Sequence, residues 1–188
     1  MHLRHVSRGA AALGVTAALV FSGVQSAQAD RPVATDQQSA PQSWAQARVA
    51  ADKVAIQELA SRFENTFDEG RIDAHLATWV DNLTFVSPFG TYRGKAAYAQ
   101  WVREFYKVAQ ASGGTRHLVT NFEIDVRGDT ATMKAYLMIV IRKPAVIDGV
   151  RFHPIAYSTA FTNDRLVRVN GRWKFAARTL QIDEGPNP

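Results

Sequence analysis

Histidine titrates near neutrality and can both take and give a proton, and His117, in the strand-like stretch TRHLVTN, is the best-placed example in this chain. To act as a general base it needs a partner that fixes its tautomer, and a pocket that holds a substrate. Tyr92, Tyr136 and Tyr157 carry hydroxyls able to hydrogen-bond a substrate carbonyl, and Asn121 and Thr162 could do likewise. Aromatic residues at such positions more often fill a core. His75 falls off the apolar stripe of its helix and is expected to be exposed, while His153 precedes Pro154 in a loop leading into a strand. Arg142 and Lys143 could bind an acidic ligand at a cavity mouth, with a solvated strand end as the plainer account. Asp73 reads as a helix cap. No His, Cys or Glu cluster has metal-ligand spacing, and no Gly-rich loop precedes a helix in the phosphate-binding manner. Neither a metal nor a cofactor is therefore implied.

The N-terminus reads as an address. Arg4 and Arg8 give it a basic start, Gly9 to Val24 form an uncharged apolar run, and Ala27-Gln28-Ala29 supplies a small-x-small cleavage pattern. Residues 1–29 are expected to be a signal peptide cut before Asp30, making the mature protein secreted or periplasmic. The apolar run is shorter than the roughly 20 residues that cross a bilayer, so no stable membrane span is expected after cleavage. Losing the leader lowers the formal charge from +5 to +3. That mild excess is spread along the chain and argues against nucleic-acid binding. The chain has no cysteine, so no disulfide supports it in an oxidising compartment.

Residues 30–50 are rich in Pro, Gln, Ser and Ala without an apolar period and read as a flexible tether, in which Trp44 could dock on the domain. Asp52 is then expected to cap a helix carrying Ile56, Leu59, Ala60, Phe63 and Phe67 on one face and stopping at Gly70. A short second helix follows Asp73, with Leu76, Trp79 and Val80 inward. NLTFVSPFGTYRG reads as strand, turn and return, and Gly94 opens a third helix with Tyr98, Trp101, Val102 and Phe105 at helical spacing. Beyond Ser112-Gly113-Gly114 the pattern is β: two long strands joined at Arg127-Gly128-Asp129, and two more at Asn170-Gly171, which suits a type I′ turn. Three helices and long antiparallel strands predict an α+β domain whose strongly twisted sheet leaves a concavity for a ligand.

The run AIQELASRFENTFDEGRIDAHLATWVDNLTF, then GTYRG before a helix, TRHLVTN, GDTA and NGRWKFAARTL together resemble a SnoaL-like protein of the nuclear-transport-factor-2-like superfamily. The resemblance spans about residues 50–183 and implies a cone-shaped α+β barrel: three N-terminal helices packed on a strongly curved, mainly antiparallel sheet. The domain is expected over residues 51–184, with 185–188 as a tail. In the scytalone dehydratase and dehydrochlorinase branch, an Asp ending the first helix orients a His at the start of a strand. The matching residues are Asp68, in TFDEG, and His117. In ketosteroid isomerase the proton-shuttling Asp precedes a Pro on the first strand, where Ser87 stands here. The dehydratase's pocket Ser and Asn correspond to Ala160 and Thr162, and its second pocket His falls near Arg142 or Lys143. Of these features the dyad alone is retained. The family also implies a homodimer.

The resemblance thus implies His117 as general base and Asp68 as its orienting partner, in a cofactor-independent lyase or isomerase acting on a small, largely apolar molecule. The alternative is a non-catalytic small-molecule-binding or interaction module of the same fold, with the pair as a structural hydrogen bond. Simple strand alternation groups His117 with Val119, Asn121, Glu123 and Asp125, opposite the apolar Leu118, Phe122, Ile124 and Val126. A bulge near the strand start could re-aim it.

Overall fold

The first helix begins well before its apolar stripe does. In a computed structural model describing residues 40–142, 145–147, 150–152 and 155–183, with side chains for 42–142 and 158–183, α1 spans Ala40–Asp68. Residues 40–50, expected as part of a tether, are thus helical. Ala, Gln and Arg are good helix formers, and Pro41 sits in the first turn, where its missing N–H is not needed. This leading part is exposed, and Trp44, for which docking on the domain was open, is 74% exposed. Asp52 is consequently not a cap. It is buried, accepts a hydrogen bond from Trp173 Nε1 (3.2 Å) and pairs with Arg168 (2.6 Å). From there Ile56, Leu59, Ala60, Phe63 and Phe67 are buried as the stripe requires. Gly70 ends the helix at φ 75°, where a side chain would collide with Tyr106. The leader with its cleavage point, the tether before Ala40, the tail, Lys143, His153 and the Tyr157 side chain lie outside the described residues.

Helix α2 (Ile72–Ala77) is only six residues long and follows Arg71, so Asp73 lies inside its first turn rather than capping it. Asp73 is exposed and pairs with Arg103 (2.5 Å). His75, expected in solvent, is 1% exposed. The stripe argument failed because α2 packs against both α1 and α3, so more than one of its faces is covered. Trp79, expected on that helix, instead opens strand β1 (Trp79–Ser87) and is fully buried. β1 turns into β2 (Gly90–Arg93), and Gly94 leads into α3 (Lys95–Ala111), as the sequence pattern predicts.

β3 (Thr115–Arg127) and β4 (Thr130–Ile141) form one long hairpin, and β7 (Ile155–Val169) and β8 (Arg172–Ile182) another. Asn170 and Gly171 both have positive φ, 50° and 75°, as a type I′ turn requires. Between the hairpins lies a small one that the pattern did not announce, β5 (Ala145–Ile147) with β6 (Val150–Phe152). The main sheet has the order β2-β1-β8-β7-β4-β3, antiparallel throughout except where β1 runs parallel to β8. Its edges, β2 and β3, do not meet, so the cone is open rather than a closed barrel. The core between helices and sheet is strongly aromatic, with Phe63, Trp79, Tyr98 and Phe175 ring against ring. Among the described residues no helix is long and apolar enough to cross a membrane.

Candidate active site

Which way His117 faces is decided four residues downstream of it. Thr115, His117 and Val119 are half-buried, while Arg116, Leu118 and Thr120 are exposed. The register with β4 then slips between Thr120 and Glu123, with Asn121 at φ 55° in the slip. Past it Phe122, Ile124 and Val126 turn inward and Glu123 and Asp125 outward. This bulge reverses the alternation, so His117 shares the inner face with Phe122, Ile124 and Val126 and not with Asn121, Glu123 and Asp125. Asn121, expected to touch substrate, is exposed and serves the bulge, its short polar side chain tolerating the left-handed conformation.

The end of α1 meets the start of β3, and Asp68 engages His117 twice there. Its Oδ2 accepts the His117 backbone N–H at 2.8 Å and its Oδ1 faces His117 Nδ1 at 2.6 Å. The Thr115 hydroxyl adds a longer contact, 3.5 Å. An ionised carboxylate only accepts, so Nδ1 carries the proton and the neutral ring presents its Nε2 lone pair elsewhere. Among the described residues no group hydrogen-bonds Nε2, and His117 lines a cavity of about 630 Å³. Burial works against the charged form of His117, but the Asp68 hydrogen bond and the charges of Glu64 and Asp68 outweigh it and raise its pKa above 6.5.

The cavity lies between α1, α3 and the inner face of the sheet. Phe67, Phe85, Phe89, Trp101, Phe105, Leu137 and Leu180 are among the apolar side chains of its wall. Its polar groups are few, and sequence reasoning missed most of them. His75 donates from Nδ1 to the Phe63 carbonyl (3.0 Å), since a carbonyl can only accept, and its Nε2 accepts the Tyr98 hydroxyl (2.8 Å). Burial, with help from the Arg178 and His117 charges, lowers its pKa to about 4 despite the Phe63 carbonyl. Arg178 is 3% exposed, gripping both oxygens of Asp164 (2.8 and 3.2 Å) and one of Glu64 (2.9 Å). The two carboxylates outweigh its desolvation and keep it charged.

A signal for Glu64 was present in the chain: Ile56, Ala60, Glu64 and Asp68 form one i+4 row, which places two acids on an apolar stripe. None existed for Arg178. Alternation from Trp173 and Phe175 would turn Ala177 inward, but the register with β7 slips at Ala176 and turns Arg178, Leu180 and Ile182 in. Asp164 is its direct cross-strand partner.

The other expected site residues lie elsewhere. Tyr92 stacks on Trp101 and donates to the Phe89 carbonyl (3.0 Å), outside the cavity wall. Tyr136 is 60% exposed on the outer face, because strict alternation along β4 turns its neighbours Ala135 and Leu137 inward. Thr162 is fully buried and donates to Asp164 (3.1 Å), so it braces the Arg178 cluster. Arg142 is exposed and donates to Gln110 (3.2 Å) beside Gly114. Among the described residues no three His, Asp or Glu side chains group as metal ligands.

Fold and site together define an α+β cone whose apolar cavity carries proton-active groups on its wall. Residues 48–179 match the model of the SnoaL-like domain, and the chain belongs to that family, within the nuclear-transport-factor-2-like superfamily. A protein of unknown function from Nostoc punctiforme, with a cystatin-like fold, is 31% identical over 72% of this chain and 94% of its own, at TM-score 0.59. A nuclear-transport-factor-2-like protein from Novosphingobium aromaticivorans superposes at TM-score 0.66, with 21% identity over 79% and 92% of the two chains. A Catenulispora acidiphila structure in complex with S-DNPA does so at 0.60, with 22% identity over 71% and 95%. No curated protein matches the sequence.

Proposed function

We propose that the cavity is the active site of a cofactor-independent lyase or isomerase acting on a small, largely apolar molecule, with His117 as general base and Asp68 as its positioning partner. The observation that carries this reading is the 2.6 Å contact from Asp68 to Nδ1 of a cavity-lining ring whose Nε2 has no hydrogen-bond partner among the described residues. Nε2 takes a proton from a carbon beside a carbonyl, and the C–H electron pair becomes a carbon–carbon double bond. In an elimination the leaving hydroxyl departs with its bonding pair and collects the proton from His117 as water. In an isomerisation the proton returns to another carbon of the same molecule. A cavity of about 630 Å³ is ample for such a substrate, and a structure of the same fold accommodates a small molecule. The test is a screen of small apolar carbonyl and hydroxy compounds against wild type and His117→Ala. Turnover that survives the substitution removes His117 as the base, and binding without turnover by wild type makes the domain a binding module.

Two further expectations belong to this reading. Leu118, Tyr136 and Met138 are exposed together on neighbouring outer-face strands, an apolar patch suited to a second copy of the chain. A monomer in light scattering would remove that. Export is checked by the mass of the mature protein, expected to begin at Asp30.

A further inference from the structure

Glu64 is placed to do more than hold Arg178. It sits one turn before Asp68 on α1, is 4% exposed and lines the cavity. Its Oε1 accepts from Arg178 Nη1 (2.9 Å), and no described residue hydrogen-bonds its Oε2. Arg178 offers no uncompensated charge to a ligand. Asp164 occupies its Nε and Nη2, and its plane lies over the rings of Phe63 and Phe175, at 4.2 and 4.6 Å. One guanidinium is shared by two acidic side chains, so none of its charge is left for a third. His117, even when protonated, offsets only Asp68. A ligand carboxylate would therefore enter an apolar space beside two acids, with no free cation among the described lining residues to meet it. A hydroxyl or ammonium group would instead meet an anchored acceptor, and an ammonium would gain from the aromatic wall as well.

We infer that Glu64 sets the specificity of the cavity, and that the ligand is an apolar ring bearing a hydrogen-bond donor, hydroxyl or protonated amine, and no carboxylate. This rests on the cavity being the ligand site proposed above, but not on His117 being a base, since binding is read without turnover.

Equilibrium dialysis of the purified protein at neutral pH against 2-naphthol, 2-naphthylmethylamine, naphthalene and 2-naphthoate tests it. The phenol and the amine are expected to bind about tenfold or more tighter than the carboxylate, with naphthalene between them. Glu64→Gln keeps an amide oxygen for Arg178 but removes the charge. It should weaken the amine and narrow the gap to naphthoate about threefold or more. Naphthoate binding within twofold of naphthol by wild type overturns the inference and leaves the proton chemistry standing. An unchanged ranking in a Glu64→Gln variant with wild-type circular dichroism overturns the role of Glu64. If that variant does not fold, the wild-type series still decides the charge preference. Failure of all four probes to bind removes the cavity as the ligand site and this inference with it.

Discussion

His75 and His117 line one cavity and lie against the same ring, that of Phe67, at 5.8 and 5.6 Å between centroids. His75 gives its Nδ1 proton to a neutral carbonyl and has its Nε2 occupied by Tyr98. No carboxylate among the described residues hydrogen-bonds it, the Phe63 carbonyl offsets burial only in part, and its pKa falls to about 4. His117 is also penalised by burial, but its Nδ1 meets a carboxylate and its pKa rises. The role of an imidazole in this pocket thus turns on what faces its Nδ1. His75 has both nitrogens engaged and holds α1, α2 and α3 together, whereas the Nε2 of His117 has no partner among the described residues.

The strongest way to break this contrast is through turnover. His117→Ala should lower kcat by about 10²- to 10⁴-fold, the usual contribution of a positioned general base, whereas His75→Leu should leave most of it. Comparable losses in both variants would mean the two histidines act as one unit. Asp68→Asn should lower the His117 titration midpoint, seen by NMR, because the hydrogen bond and charge that raise it weaken. The pH–rate profile should move with it: the base is active when neutral, so wild-type activity rises with pH through a midpoint above 6.5, and the variant's midpoint lies lower. An unmoved midpoint would deny Asp68 its positioning role.

Stability sharpens the same contrast, with opposite signs. The folded pKa of His75 lies below its ordinary 6.5, so its contribution is complete above pH 6.5 and is lost as pH falls toward about 4. That shift corresponds to about 3 kcal/mol. The folded pKa of His117 is raised, so its contribution is complete below pH 6.5 and is lost as pH rises through the folded value. Denaturant melts at several pH values should show the acid-side slope of wild type flattened in His75→Leu. That variant should also lose about 1–3 kcal/mol at neutral pH from the stranded Tyr98 hydroxyl. The smallest effect concerns the bulge that aims His117: Asn121→Val should cost about 1–2 kcal/mol in a thermal melt, because a β-branched residue resists φ 55°.

Much of the fold is legible in the sequence. The α1 stripe, the α3 stripe and the Asn170-Gly171 turn follow from periodicity and turn chemistry, which are local. The early start of α1 was not, because helix propagation through exposed good formers leaves no apolar period to see. His75 was misplaced because its helix is too short to have a free face once two others pack on it. Of the candidate site, Asp68 and His117 emerged through family resemblance, and Glu64 could have been found from its i+4 row with Asp68. Arg178 could not, since nothing in RWKFAARTL announces a bulge at Ala176.

The sequence by itself determined which groups exist and the order in which the chain presents them: a histidine opening a long strand, an acid closing a helix, and enough apolar surface to make a core around them. Tertiary structure decided which way they look. Slips of register at Asn121 and Ala176 reverse side-chain alternation, and with it the faces on which His117 and Arg178 appear. Such slips are set by how each strand must bend to follow its neighbours and the helices, a long-range requirement that no short window of residues contains.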